Sequence, residues 1–192
     1  MPTPKPPPPR WTWLPLPRGQ AAEPVARQWL GERLGCAPEA VPLQRDVHGR
    51  PQLHAACRLW DCNWSHSGEG LLVALGARMQ VGIDLEWVRP RPRALELARR
   101  FFTAAEADWL AERDGTARST AFVRLWCAKE AVLKAHGQGL SFGLHKLAFQ
   151  ITAQGLRLAA CDPEMGDPSH WTLHELEPAA GYVGALAWRN GR

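Results

Sequence analysis

The stretch STAFVRLWCAKEAVLKAHG, residues 119–137, constrains the fold more than any other part of the chain. Phe122, Trp126, Val132 and Leu133 recur at helical spacing and Gly137 supplies a stop, which predicts one long helix with an apolar face. Such a face must be buried against another layer. Runs of strand length lie on both sides of it. LLVALG (71–76) and VGIDLEWV (81–88) are separated by a short turn region and predict a hairpin. Further strand-like runs follow at 147–151, 156–160, 171–176 and 182–188. Upstream, Val25, Trp29, Leu30 and Leu34 mark a helix within 21–34, capped by Gly35. Thr103 and Glu106 form a capping-box signature that starts a helix inside 94–112. WTWLPLP (11–17) reads as a short edge strand, and DVHGRPQL (46–53) as a turn followed by a short strand. The class is α+β. A short echo between LLVALG and the late YVGALAW hints at two similar halves.

At 192 residues and 45% apolar content, the chain can bury a core as one domain or two fused halves. The expected division is a proline-rich tail at 1–10, an N-terminal half at 11–78 and a C-terminal half at 79–192. A net charge of +4 suits anionic partners: nucleic acid, phosphorylated small molecules or an acidic protein. Nucleic acid is disfavoured because no stripe of interleaved aromatic and basic residues is present. Five cysteines, an odd number with no CxxC pair, read as reduced thiols of a cytoplasmic protein. The N-terminal MPTPKPPPPR resembles neither a signal peptide nor a span, and no window holds 18 consecutive apolar residues, so a membrane is not expected.

Four constellations could carry chemistry. In GIDLE (82–86), strand alternation puts Asp84 and Glu86 on one face with Ile83 and Leu85 on the other. Two adjacent carboxylates repel unless a cation lies between them, and a few hard oxygen ligands suit Mg2+. A solvated acidic strand face is the plainer alternative. In LWCAKEAVLK (125–134), Glu130 and Lys134 share a helical face at i, i+4, while Lys129 lies about 100° around. The chain has 19 arginines and four lysines, yet two lysines flank this glutamate. The pair is either an exposed ion pair or a carboxylate beside a phosphate-binding ammonium. NWSHSGEG (63–70) reads as a polar turn whose Ser65, His66 and backbone N–H groups could bind a phosphate, or as an ordinary capped turn. Arg18, Arg27, Arg45 and Arg50 are basic positions upstream, with Arg50 on the HGRP turn the best placed for a phosphate.

Taken in order, HGRP, NWSHSG, VGIDLE, RFFTAAE and LWCAKEAVLKAHGQGL, between about 48 and 143, resemble the 4'-phosphopantetheinyl transferases of the Sfp type. The resemblance implies a pseudo-twofold molecule of two similar α+β halves with the active site between them. It implies transfer of the phosphopantetheine arm of coenzyme A to a serine of an acyl or peptidyl carrier protein by a monomer. Adenosine 3',5'-bisphosphate would be the other product. On matching positions, Asp84, Glu86 and Glu130 would be Mg2+ ligands, with Glu130 also the general base, and Lys134 would hold the pyrophosphate. Arg18, Arg50, Ser65 and His66 would contact coenzyme A, and Lys129 would serve phosphate or carrier. The intact Asp84, Glu86, Glu130 and Lys134 set speaks against the alternative, a catalytically inactive carrier-protein or coenzyme A binding module. The basic segment 88–115, with Arg89, Arg91, Arg93, Arg99 and Arg100 beside Leu97 and Phe102, is the expected carrier-docking surface.

Overall fold

A computed structural model of the chain describes residues 7–191. The expected tail therefore lies largely outside the described residues, and its last residue, Arg10, already begins a strand.

Two three-stranded antiparallel sheets form the centre. The first contains β1 (Arg10–Pro15), β4 (Trp60–Ser67) and β5 (Gly70–Ala77), in the order β1-β5-β4. The second contains β6 (Met79–Trp87), β9 (Trp171–Leu176) and β10 (Tyr182–Asn190), in the order β6-β10-β9. The two runs that echo one another in sequence are thus the central strands, β5 and β10. Two short ribbons, β2 (Leu43–Arg45) with β3 (Pro51–Leu53) and β7 (Leu147–Thr152) with β8 (Gly155–Cys161), complete the strands.

Alternation along each strand explains the layering. Leu71, Val73 and Leu75 of β5 pack on Ala26, Trp29 and Leu30 of α1 (Ala22–Leu34). The intervening Leu72 and Ala74 pack on Val81, Ile83 and Leu85 of β6 and on Leu186 and Trp188 of β10. The opposite face of β10, with Val183, Ala185 and Ala187, belongs to the core cluster of α4 (Gly115–His136). The order of layers is α1, first sheet, second sheet, α4. The smaller helices α2 (Ala94–Phe101) and α3 (Ala104–Ala111) lead from β6 to α4, and α3 opens with the expected capping box, both of its hydrogen bonds being present.

Two expectations are corrected. LLVALG and VGIDLEWV do not form a hairpin, because β5 pairs with β1 and β4 while β6 pairs with β10. Arg78, at φ +56°, turns the chain between them from one sheet into the other. NWSHS is not a turn: Asn63–Ser67 lie on β4, and the reversal is made at Gly68 and Glu69. The misreading has a physical cause. Asp61, Asn63, Ser65 and Ser67, which share one face of β4, face protein rather than water. The Asp61 carboxylate accepts from Val81 N–H at 2.8 Å, the Asn63 carbonyl from Ile83 N–H at 3.1 Å, and the Ser67 hydroxyl from Trp87 N–H at 3.0 Å. Side chains of β4 thus satisfy one edge of β6, which its backbone would otherwise leave unpaired. This polar seam joins the two sheets and fixes β4 beside β6.

Candidate functional site

Gly82 sets the distance between α4 and β6. A Cβ there would meet the Ala131 carbonyl oxygen at 2.1 Å and the Ala135 nitrogen at 2.4 Å. Only hydrogen at this position lets the helix backbone lie directly on the strand. Asp84, two residues further along the same face, is thereby brought to the helical face that carries Glu130 and Lys134.

The Lys134 ammonium donates to the Asp84 carboxylate at 2.6 Å, to the Ser65 hydroxyl at 3.0 Å and to the Ile83 carbonyl at 3.2 Å. The Ser65 hydroxyl in turn donates to the same Asp84 oxygen at 2.8 Å. Burial works against the Lys134 ammonium, but the charge and hydrogen bond of Asp84 outweigh it and hold its pKa above the ordinary value. At the end of β6, Glu86 pairs with Arg91 at 2.7 Å and receives the Ser67 hydroxyl at 3.5 Å. Burial raises the Glu86 pKa, Arg91 opposes it, and the Asp84 charge adds to it.

Glu130 is 7% exposed and makes no hydrogen bond or ion pair with another described residue. Burial, reinforced by the charges of Asp84 and Glu86, pushes its carboxyl up to about 7 against the pull of Lys134. The second oxygen of Asp84 is buried and has no partner either. Three crowded carboxyl groups, one with an orphaned oxygen, are the donor set that a hard divalent cation takes. Among the described residues no three such side chains are gathered closely enough to hold a metal ion as they stand, and Lys134 and Arg91 occupy two of the three carboxylates.

Glu130 and Lys134 line a cleft of about 290 Å³ together with Arg45, His48, Gly49, Arg50, Pro51, Asn63, Trp64, Gly137 and Gly139. His66 is exposed on β4, and alternation sends it to the side of the strand opposite Ser65. Of the remaining expected contacts, Arg50 borders this cleft while Lys129 and Arg18 do not.

Arg50 lines the cleft but its guanidinium is used internally. Its five N–H groups go to the Lys134 carbonyl at 2.7 Å, the Pro51 carbonyl at 3.2 Å, the two Asp61 oxygens at 3.0 and 2.6 Å and the Val81 carbonyl at 2.9 Å. That is the full donor complement of an arginine, so none is left for a phosphate. Arg50 instead cross-braces β3, β4, β6 and the last turn of α4.

Lys129 is fully buried, paired with Glu106 at 2.7 Å and donating to the Leu144 carbonyl at 3.0 Å and the Leu147 carbonyl. Burial lowers its pKa despite Glu106. Its three protons are spoken for, and it reaches neither cleft nor surface. Glu106 also accepts the backbone N–H of Phe149 at 2.9 Å, so the pair fastens α3 and β7 to α4. Arg18 is 82% exposed and rests on Glu69 at the β4–β5 turn, at 3.6 Å. In the basic segment, Phe102 is not exposed: it is buried and stacks on Phe122 with ring centroids 5.2 Å apart. Arg91 is held by Glu86 and Arg93 by Glu96, which leaves Arg89, Arg99 and Arg100 as its exposed charges not so paired.

Several cleft residues were not singled out as candidate site residues by sequence: His48, Trp64 and the glycines 49 and 139, while Gly137 stood out only as the end of the long helix. Arg45 stood out only as one basic position among four.

Residues 80–187 match the family model of the 4'-phosphopantetheinyl transferase superfamily. Among curated proteins, slr0495 of Synechocystis sp. is 35% identical over 167 residues, covering 83% of this chain and 66% of its own length. The 4'-phosphopantetheinyl transferase HetI of Nostoc sp. is 32% identical, covering 88% and 70%, and Sfp of Bacillus subtilis is 32% identical, covering 65% and 53%. The chain thus spans between about half and 70% of the length of these relatives.

Proposed function

Because this chain belongs to the 4'-phosphopantetheinyl transferase superfamily, we propose that it transfers the 4'-phosphopantetheine arm of coenzyme A to a serine of an apo acyl or peptidyl carrier protein, with Mg2+. The observation that carries the reading is the assembly, across the Gly82 contact, of Asp84 with Lys134 and Glu130, the latter two lining one cleft, with Glu86 on the same face of β6.

In this reaction a serine hydroxyl attacks the phosphorus bound to the pantetheine. The bond from that phosphorus to the bridging pyrophosphate oxygen breaks, and adenosine 3',5'-bisphosphate leaves. The hydroxyl is a weak nucleophile and its proton needs an acceptor. Glu130, buried, bordering the cleft and without a hydrogen-bonding partner for its side chain among the described residues, is the carboxylate available to accept it. Lys134 gives its three protons to Asp84, Ser65 and Ile83, so what it offers the pyrophosphate oxygens is a compact positive charge at the cleft unless a proton is taken back from one of these partners. Asp84, Glu86 and Glu130 are the residues that would hold Mg2+, which when bound neutralises pyrophosphate charge and supports the leaving oxygen. Positioning matters as much as the base, since the nucleophile arrives on another protein. The exposed Arg89, Arg99 and Arg100 suit an acidic partner surface. Cys36, Cys57, Cys127 and Cys161 are free thiols, which fits the reducing cytoplasm, and no helix among the described residues is long and apolar enough to cross a membrane.

A thermal-shift titration with coenzyme A tests the reading cheaply. Stabilisation that deepens when Mg2+ is added supports it, and no shift by coenzyme A under either condition sinks it.

A further inference from the structure

Two of the three carboxylates at the site are already held by cations of the protein itself. Lys134 holds Asp84 and comes from the same helix as Glu130. The other cation, Arg91, is in sequence only one of a run of basic positions. In the structure its guanidinium donates through Nη2 to Oε2 of Glu86 at 2.7 Å. The Ser67 hydroxyl reaches that same oxygen at 3.5 Å.

The backbone under Arg91 is fixed. Pro90 has a locked φ, and Pro92 keeps the residue before it out of the helical region. The Arg91 N–H donates to the Ser119 hydroxyl at 3.1 Å, and that hydroxyl donates to the Gly115 carbonyl at 3.1 Å in the first turn of α4. The Arg91 carbonyl accepts the Ala94 N–H at 2.9 Å. The side chain is held less well. Its ion pair uses one N–H of five, and its Nε is buried without a partner, which costs the arrangement an unmade hydrogen bond. A cavity of about 370 Å³ adjoins it, walled by residues 88–92 and by the start of α4, so the guanidinium has room to turn. Arg89 and Arg118 border the same cavity and repel Arg91, which favours its facing Glu86 while no other cation is there.

We infer that Arg91 is a displaceable counter-ion of the metal site: it holds Glu86 in the metal-free protein, must give Glu86 up to a divalent cation, and thereby weakens metal binding before any substrate arrives. The inference rests on the transferase reading above, in which Glu86 is one of the Mg2+ ligands. Among the described residues no three acidic side chains lie close enough to hold an ion as they stand, so Glu86 has to shift, and its pair with Arg91 resists that shift. Charge acts in the same direction. A positive charge about 5 Å from a divalent cation lowers its affinity on the order of tenfold even at the dielectric constant of water.

Mn2+ alone, without coenzyme A, is the probe, and the free ion is read by electron paramagnetic resonance. The wild type is compared with Arg91→Gln, Arg91→Lys, Glu86→Gln and the double variant Arg91→Gln with Glu86→Gln, each first checked for a cooperative melting transition. Arg91→Gln is expected to bind Mn2+ on the order of tenfold more tightly than wild type, and Arg91→Lys, which keeps the charge, to stay near wild type. In the Glu86→Gln background the gain should vanish, because no carboxylate is left to release. In chelator, Arg91→Gln should also melt below wild type, and it should gain more from added Mn2+. Equal or weaker Mn2+ binding by Arg91→Gln would make Arg91 a residue that positions Glu86 instead of competing for it, and overturns the inference. A gain that survives Glu86→Gln overturns it as well, as does the lack of Mn2+ binding by both wild type and Arg91→Gln. The transferase reading is judged separately, by the mass gained by a carrier. If wild type modifies a carrier while the Mn2+ affinities are equal, only the assignment of Arg91 falls.

Discussion

Glu130→Gln should make the metal-free protein more stable while removing its activity. The carboxyl of Glu130 is lifted from an ordinary 4.5 to about 7 by burial and by Asp84 and Glu86. For an acid whose folded pKa is raised, the fold favours the protonated form. Below pH about 4.5 the group is neutral in both states and costs nothing. Between about 4.5 and 7 the unfolded chain ionises first, so stability falls as pH rises. Above about 7 both forms are ionised and the full penalty stands. At about 1.4 kcal/mol for each pH unit, that penalty is ~3 kcal/mol, and relaxation around the site makes ~2 kcal/mol a fair expectation. Glutamine keeps the shape and drops the charge. For a chain of this size the gain corresponds to about 4–8 °C in melting temperature. Calorimetry of both proteins in chelator at about pH 8 and about pH 4 measures it, with the difference expected at the higher pH and nearly gone at the lower. Equal melting at pH 8, or a gain that persists at pH 4, would refute the account of a destabilising carboxylate cluster awaiting a cation.

Asp84→Asn and Glu86→Gln are each expected to lower turnover by at least a hundredfold with folding retained, and near wild-type turnover of either in Mg2+ would remove that residue from the site. Arg50→Gln removes the guanidinium from the buried Asp61 carboxylate, so a loss of about 3–5 kcal/mol in urea unfolding is expected, together with a weakened Lys134 position; a loss under ~1 kcal/mol would mean that the brace is dispensable. Lys129→Met should cost a similar amount by stranding Glu106, and the double variant with Glu106→Gln, which removes the buried charge but keeps an acceptor for the Thr103 and Phe149 amides, should recover part of it, the recovery being the part that a role in substrate binding does not predict. Arg99→Glu with Arg100→Glu should raise the KM for carrier and flatten its salt dependence while coenzyme A affinity holds; unaltered carrier kinetics would move the docking surface elsewhere.

Sequence conveyed most where a residue's type follows from local geometry. The capping box at Thr103, the terminal glycines of α1 and α4 and the late strands all follow from backbone chemistry read over a few residues. The same-face placement of Asp84 and Glu86 follows from strand alternation. Strand partners were less legible, because pairing is decided between segments far apart: β5 and β6 are neighbours in sequence but lie in different sheets. β4 read as a turn because its inward face is polar, and only the structure reveals β6 amides as the partners of that face. The charged residues divide in the same way. Whether an arginine or lysine is free depends on its partners. Asp61 takes Arg50 and Glu106 takes Lys129, and neither partner is close to them in sequence. Lys134 is likewise tied to Asp84, but its side chain keeps one quarter of its surface exposed at the cleft.

The central claim is a group transfer, and intact-mass spectrometry of the acceptor measures it directly. The 192-residue chain, coenzyme A and Mg2+ would be incubated with apo-carriers of the fatty acid, polyketide and nonribosomal peptide types, each alongside its serine-to-alanine variant. The account predicts that at least one apo-carrier gains the mass of a single phosphopantetheine, that adenosine 3',5'-bisphosphate appears in equal amount, and that the alanine carriers and the Glu130→Gln enzyme give neither. Unchanged carrier masses across the whole panel, from a protein that is folded and binds coenzyme A, would contradict it.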